Sequence, residues 1–251
     1  MESPSLELLD TIYTMQQRQS WMRDYLVEQG CEPLPFIGSA ALSDDSSSVA
    51  RHIREQLDMD DQWASTYPTW EKALHALREK VEEVGILVVI DSIGKNFQRK
   101  SNFDESYDFE LEVRGFVLVD KYAPLIFINN RDGKAAQMFT LAHELAHLWV
   151  GKSAAFDLRN LQPAESEVEK ACNRIAAEFL LPREQFLQYW REVGNKDFQA
   201  IARQFKVSEI VVARRALDLG LISRDEFFKF YNSECERLAE KRKQTNARGG
   251  G

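Results

Sequence analysis

Phe139-Thr140-Leu141-Ala142-His143-Glu144-Leu145-Ala146-His147-Leu148 combines an apolar helix pattern with three chemically active side chains. From Met138 to Trp149 the other positions are almost all apolar, so a helix here is buried on most sides. Within it stand two histidines and a glutamate in the order HExxH. Positions i and i+4 share a helix face, so the imidazoles of His143 and His147 can reach one ion together. Zinc accepts neutral imidazole nitrogen at about 2.0–2.1 Å. Glu144 is turned about 100° from His143. That takes it out of the ligand set and aims it at a metal-bound water, where it can accept a proton and later hand one to a leaving amine. Without a metal, burying these groups unpartnered costs on the order of several kcal/mol. Only four histidines occur in the chain, and the other two, His52 and His75, fit surface helix positions.

Two histidines leave the site one protein ligand short. The longer pattern HExxHxxGxxH fails, because Val150 stands at its glycine and Ser153 at its third histidine. The ligand should then be a carboxylate from a later helix, and the next strong helix pattern runs from Glu165 to Leu181, ended by Pro182. Glu169 and Asn173 share one face of it, and Glu165 lies on nearly the same face one turn earlier. Glu167 and Glu178 are turned away by about 200° and 180°. Glu169 is the expected ligand, Asn173 the group that hydrogen-bonds an imidazole N–H, and Glu165 the reserve.

Upstream, Leu6 to Glu28 has helical periodicity ended by Gly30. Val49, Ile53 and Leu57 form one stripe after the polar break at 43–48, and Leu74, Leu77, Val81 and Val84 another before Gly85. Trp63, Tyr67 and Trp70 fit packing positions. Ile86–Ile90 is an expected buried strand, and Gly115–Val119 and Leu125–Asn129 are two more, antiparallel across the turn at 120–124. The last of these is either sheet interior or an edge to which an extended substrate adds as a strand. Asp132 is a candidate cap for the helix beginning near Lys134. Tyr122 and Arg114 are oxyanion-stabilising candidates by position only.

The chain has 251 residues, 44% hydrophobic and 29% charged, an ordinary globular composition. No apolar run is long enough to span a membrane, and the first residues lack a secretory signal pattern. Three dispersed cysteines, Cys31, Cys172 and Cys235, suit a reduced, cytoplasmic protein. The net charge of −8 disfavours a surface wrapped in nucleic acid. Residues 196–251 nevertheless carry 12 basic and 8 acidic side chains. There Ala202, Val207, Val212 and Leu217 are spaced like the buried positions of a helix-turn-helix. Arg214 and Arg215 could touch phosphate, giving a weak DNA contact, but Glu209 at the start of the second helix would repel phosphate, and packing of the two helices on the preceding domain is the favoured expectation. The final Lys241-Arg242-Lys243 run is expected to be a frayed tail.

Several of these motifs occur together in one order. Gly115-Phe116, Pro124-Leu125-Ile126-Phe127-Ile128-Asn129, the HExxH helix, and Glu169-Lys170-Ala171-Cys172-Asn173-Arg174-Ile175-Ala176-Ala177-Glu178-Phe179-Leu180-Leu181-Pro182 resemble the ImmA/IrrE family of metallo-endopeptidases over about residues 70–222. Cys172 stands where alanine is usual and Ile175 where phenylalanine is usual. The resemblance implies an α+β fold: a mostly helical zincin-like domain with a small antiparallel sheet, followed by a helix-turn-helix-like segment. It implies zinc on His143, His147 and Glu169, Glu144 as base, and a protein substrate that is a DNA-binding regulator, a helix-turn-helix repressor or antitoxin-like partner. Transcription regulation and stress response are the settings it suggests. The expected division is 1–69, a helical region without chemical motifs; 70–195, the peptidase core; and 196–251, the helix-turn-helix-like segment and basic tail. The rival expectation is a non-catalytic regulator, or a toxin–antitoxin component, that binds DNA or protein.

Overall fold

The computed structural model describes residues 5–93, 113–151, 167–194 and 197–248. Helix α1, Leu6–Glu28, is capped by the Ser5 hydroxyl. Helix α2, Ser46–Gln56, is capped by the Asp45 carboxylate. A short 3-10 turn, Trp63–Thr66, leads to α3, Trp70–Glu83. Strands β1, Leu87–Asp91, β2, Gly115–Leu118, and β3, Leu125–Asn129, form one sheet. Helices α4, Lys134–Val150, and α5, Glu167–Leu180, follow. The described chain ends with α6, Arg183–Glu192, α7, Phe198–Phe205, α8, Glu209–Asp218, and α9, Arg224–Arg248. The fold is α+β, mostly helical, with a small sheet.

The sheet order is β1-β3-β2. β2 and β3 form the antiparallel hairpin expected from the turn at 120–124, with Phe116 opposite Phe127. The other half differs: β1 is parallel to β3, with Val89 opposite Phe127, so the sheet is mixed and not wholly antiparallel. The reason is topological. A long connection separates β1 from β2, which leaves the slot between them to β3. β3 is therefore central and buried at all five positions. It is sheet interior, and among the described residues β1 and β2 are the edges.

Alternation along the strands divides the core in two. Val88, Val117, Ile126 and Ile128 join the main core, which also contains α4 and α5. Phe116, Leu125 and Phe127 face the other way and pack with Leu8, Ile12 and Met15 of α1. The main core is continuous from Phe36 to Phe227, so residues of all three expected segments contribute to it.

The N-terminal segment also closes the ends of the two helices that matter most for the site. Helix α4 stops at Gly151, whose φ of 68° is the left-handed conformation that glycine tolerates best. Gly38 and Ala40 donate their N–H groups to the Leu148 and Trp149 carbonyls there, at 2.9 Å each. Phe36 stacks on Trp149 at 4.6 Å between centroids. Buried Arg54 donates to the Glu178 and Phe179 carbonyls near the end of α5. Carbonyls in the last turn of both helices thus accept hydrogen bonds from protein groups.

Three local expectations change. Asp132 does not cap α4: Gly133 is the N-cap residue, with no side-chain cap bond, and Gln137 binds the Asp132 carbonyl instead. His52 is not a free surface residue, since its Nδ1 accepts the Trp149 indole N–H at 3.3 Å. The basic run at 241–243 lies within α9, which continues to Arg248. Glu165 and most of the loop expected at 92–110 lie outside the described residues.

Candidate metal centre

Helix α4 lies against the sheet because its apolar faces match the β2 and β3 side chains of the main core. Its approach to β2 is close. A methyl group on Gly115 would lie 2.5 Å from Thr140 Cγ2 and 2.8 Å from the Phe127 carbonyl oxygen. It would also stand 3.6 Å from Glu144 Oε1. Only glycine lets the strand start directly over the HExxH turn.

Helix α5 packs across α4 and brings Glu169 to the two histidines. His143 Nε2 is 3.1 Å from Glu169 Oε2 and 3.0 Å from His147 Nε2. His147 Nε2 is 3.3 Å from Glu169 Oε1. These are the ligand-type atoms of a three-residue group among the described residues, His143, His147 and Glu169. Four donors at zinc's usual bond length stand about 3.3 Å apart in a tetrahedral shell, close to the separations here. Two imidazole nitrogens facing each other at 3.0 Å also need a shared cation or proton between them. The donor set, two nitrogens and one carboxylate, is that of open catalytic zinc sites. The residues fit a metal ion.

The electrostatics point the same way. Hydrogen bonds from His143 and then His147 hold the Glu169 carboxyl down to about 2, against the opposing effect of burial. Burial works against protonation of His143, but its bond to Glu169, the charges of Glu144 and Glu169, and the Asn173 side chain together raise its pKa. Asn173 is exposed, one turn beyond Glu169. It favours the charged His143, while His143 Nδ1 is buried without a hydrogen-bond partner. Glu144 is 4% exposed, and burial pushes its carboxyl up. Its Oε2 has no hydrogen-bond partner. A buried, unpaired carboxylate beside three converging donors is costly as structure and useful as a base.

Other candidates separate cleanly. Tyr122 lies in the turn between β2 and β3, whereas the site is at the opposite end of that hairpin, beside Gly115. Arg114 precedes Gly115, exposed, 3.9 Å from Asp132. Arg215 does not face solvent. It is 7% exposed and pairs with buried Glu178 of α5, so it cannot reach a phosphate. Arg214 is exposed but pairs with Asp218 at 3.0 Å. The helix-turn-helix outline itself is present, with Lys206 in a left-handed turn and the Ser208 hydroxyl capping α8. Leu217 is half-buried, unlike Ala202, Val207 and Val212. The Glu178–Arg215 pair was not foreseen. Its one sequence signal was the turn of Glu178 away from Glu169.

Fold and donor set together describe a peptidase-type metal centre carried on an HExxH helix. The comparison of families identifies which one. The model of the M78 peptidases, described as the IrrE N-terminal-like domain, matches residues 81–217, more than half the chain. The chain belongs to this metallopeptidase family. No curated protein gives a match. Among solved structures, a Mycobacterium tuberculosis transcriptional regulator is 18% identical with a TM-score of 0.43, over 69% of this chain. The chain spans less than half, 46%, of that regulator. No helix of the described residues is long and apolar enough to cross a membrane.

Proposed function

We propose that this protein is a zinc-dependent endopeptidase that cleaves a regulatory protein, a helix-turn-helix repressor or antitoxin-like partner. The observation that carries the activity is the unpaired, buried carboxylate of Glu144 beside the convergent His143, His147 and Glu169. The target class rests on the family resemblance.

His143 Nε2, His147 Nε2 and the Glu169 carboxylate would hold the metal. When bound, zinc supplies a Lewis acid for the scissile carbonyl and lowers the pKa of the attacking water. Glu144 takes the proton at its free Oε2 and returns it to the leaving amine. Burial raises the proton affinity of that carboxylate and keeps competing water away from it. Glu169, tied to both imidazoles, orients their rings and contributes negative charge to the centre.

The test has two parts. Metal content is measured on protein purified without added metal, for wild type and Glu169→Ala. About one zinc per wild-type chain, lost in the variant, supports the centre. New protein N-termini are then compared in cells expressing wild type or Glu144→Gln. A cut in a DNA-binding regulator that appears only with wild type supports the activity. Absence of metal after exposure to zinc would sink the reading.

A further inference from the structure

Strand β1 has one paired side and one open side. In its parallel ladder with β3 the backbone groups alternate, so one residue turns toward the neighbour and the next turns away. The Leu87 N–H donates to the Pro124 carbonyl at 2.9 Å, and the Asp91 carbonyl accepts from the Asn130 N–H at 3.0 Å. Leu87, Val89 and Asp91 therefore face β3. The N–H and C=O groups of Val88 and Ile90 point to the edge that is free among the described residues. Exposed edges are usually blunted by a charge, a proline or a bulge. From Leu87 to Ile90, β1 has none of these.

Beside this edge a groove of about 580 Å³ runs between β1 and α1, with Arg18, Trp21, Met22, Leu87 and Val89 in its walls. It shares none of the metal-centre residues. Trp21 is 67% exposed and stacks on Tyr25, which is also exposed. Arg18 is exposed and has no ion pair among the described residues. The acid in the same walls, Glu82, is already bound by Arg78 at 2.9 Å.

The open groups of β1 are self-complementary. When two β1 strands meet antiparallel with Val89 opposite Val89, Val88 of each faces Ile90 of the other, and each pair exchanges both backbone hydrogen bonds. Neighbouring registers waste a group. A two-fold at Val88 opposes Ile90 to Ile86, whose N–H is held by the Val81 carbonyl. A two-fold at Ile90 opposes Val88 to Ser92, whose N–H is held by Asp91 Oδ1. With the axis at Val89, Leu87 lies opposite the partner's Asp91 on the same face of the sheet. Leu87 and Arg18 line one groove, so this carboxylate arrives beside a guanidinium that lacks an acid.

We propose that β1 pairs with β1 of a second copy of this chain across a two-fold axis at Val89, joining the two sheets into one and closing the groove beside α1. The strand edges fix the register. Trp21 and Tyr25 supply apolar area that a five-residue strand lacks by itself. The contact is isologous, so association stops at the dimer.

The full chain is followed by sedimentation equilibrium from low to high micromolar concentration. The expected result is a reversible monomer–dimer equilibrium. Arg18→Glu sets an acid against the partner's Asp91, and Trp21→Glu charges the groove wall. Both changes are on the exposed side of α1 and leave the melting curve in place, and each should weaken the dimer at least about tenfold. A covalent probe reads the register. Val89→Cys in a Cys31→Ser background, treated with oxidised glutathione, should give a disulfide-linked dimer that the Cys31→Ser parent does not. Opposed residues of a non-hydrogen-bonded pair stand about 4.5 Å apart at Cα, within disulfide range. A chain that stays monomeric would leave the edge to another segment or another protein and overturn the proposal. So would assembly beyond the dimer, a dimer indifferent to both α1 variants, or no crosslink through Val89→Cys.

Discussion

Glu144 and Glu178 are both buried, 4% and 6% exposed, on the two helices that build the metal centre. They are treated in opposite ways. Glu178 accepts from Arg215 with one oxygen and from the Arg183 backbone N–H with the other, at 2.9 Å for the latter. Glu144 Oε2 has no partner. The first arrangement fastens α5 to α6 and α8. The second leaves a proton acceptor open beside His143, His147 and Glu169. A chain that satisfies one buried acid fully while leaving its neighbour incomplete is not short of donors in its interior. The difference marks where structure ends and chemistry begins.

The largest effect expected from breaking this contrast is on catalysis. Glu144→Gln keeps the shape of the side chain and removes its basicity. Cleavage of the protein substrate should fall by about 10²–10⁴-fold, while bound metal and denaturant midpoint change little. Cleavage near the wild-type rate would assign the proton transfer to another group.

At Glu178 the same kind of change should act on stability instead. Glu178→Ala leaves Arg215 charged and buried, a loss on the order of 3–5 kcal/mol. A urea midpoint measures it. Replacing Arg215 by Met in the same protein should recover much of the loss, because the stranded charge goes with it. If the single variant loses under about 1 kcal/mol, the pair is ornamental and α8 is held by apolar packing alone.

How far these features were legible in the sequence follows from the range of the interactions involved. The bounds of α1, β3 and α4 depend on local periodicity, cap residues and turns, and can be read from neighbouring letters. The grouping of His143, His147 and Glu169 follows from i,i+4 spacing plus one choice among acids by helix angle. Asp132 failed as a cap because a short polar side chain before a helix has several local partners to choose from. The parallel seat of β1 depends on a connection whose path is not written in its composition. The inward turn of Arg215 needed the position of a helix 37 residues away. Arginine pairs usually lie on solvated faces, and here α8 carries one of each kind: Arg214 outside and Arg215 inside.

A smaller effect distinguishes the centre from the surrounding packing. A metal ion held by the folded chain alone would stabilise it by mass action, about 2.7 kcal/mol at a hundredfold excess over Kd. Chelation should therefore lower the melting temperature of wild type. Glu169→Ala should start lower in bound metal and respond less to chelator. Equal responses in the two proteins would place the stabilising metal elsewhere.

The smallest expected effect concerns Cys172, which lies on α5 three residues after Glu169. Burial, and secondarily the negative charges of Glu169 and Glu144, push its thiol from 9.0 up to about 12. Below pH 9 the thiol is protonated in folded and unfolded chains alike, so its contribution is fully present. Between 9.0 and about 12 the unfolded chain loses the proton while the folded chain keeps it. Unfolding is then favoured by up to about 1.4 kcal/mol per pH unit. Cys172→Ala should flatten the fall of the urea midpoint over the lower part of that window, relative to wild type. Titrations of lysine and tyrosine are common to both proteins and cancel in the difference. Burial makes Cys172 inert to disulfide reagents at neutral pH until the chain unfolds, whereas exposed Cys31 reacts in the native protein. Rapid native labelling of Cys172, or identical alkaline slopes in the two proteins, would mean that α5 opens at its centre. The ligand carboxylate one turn away would then be no more firmly held than a surface acid.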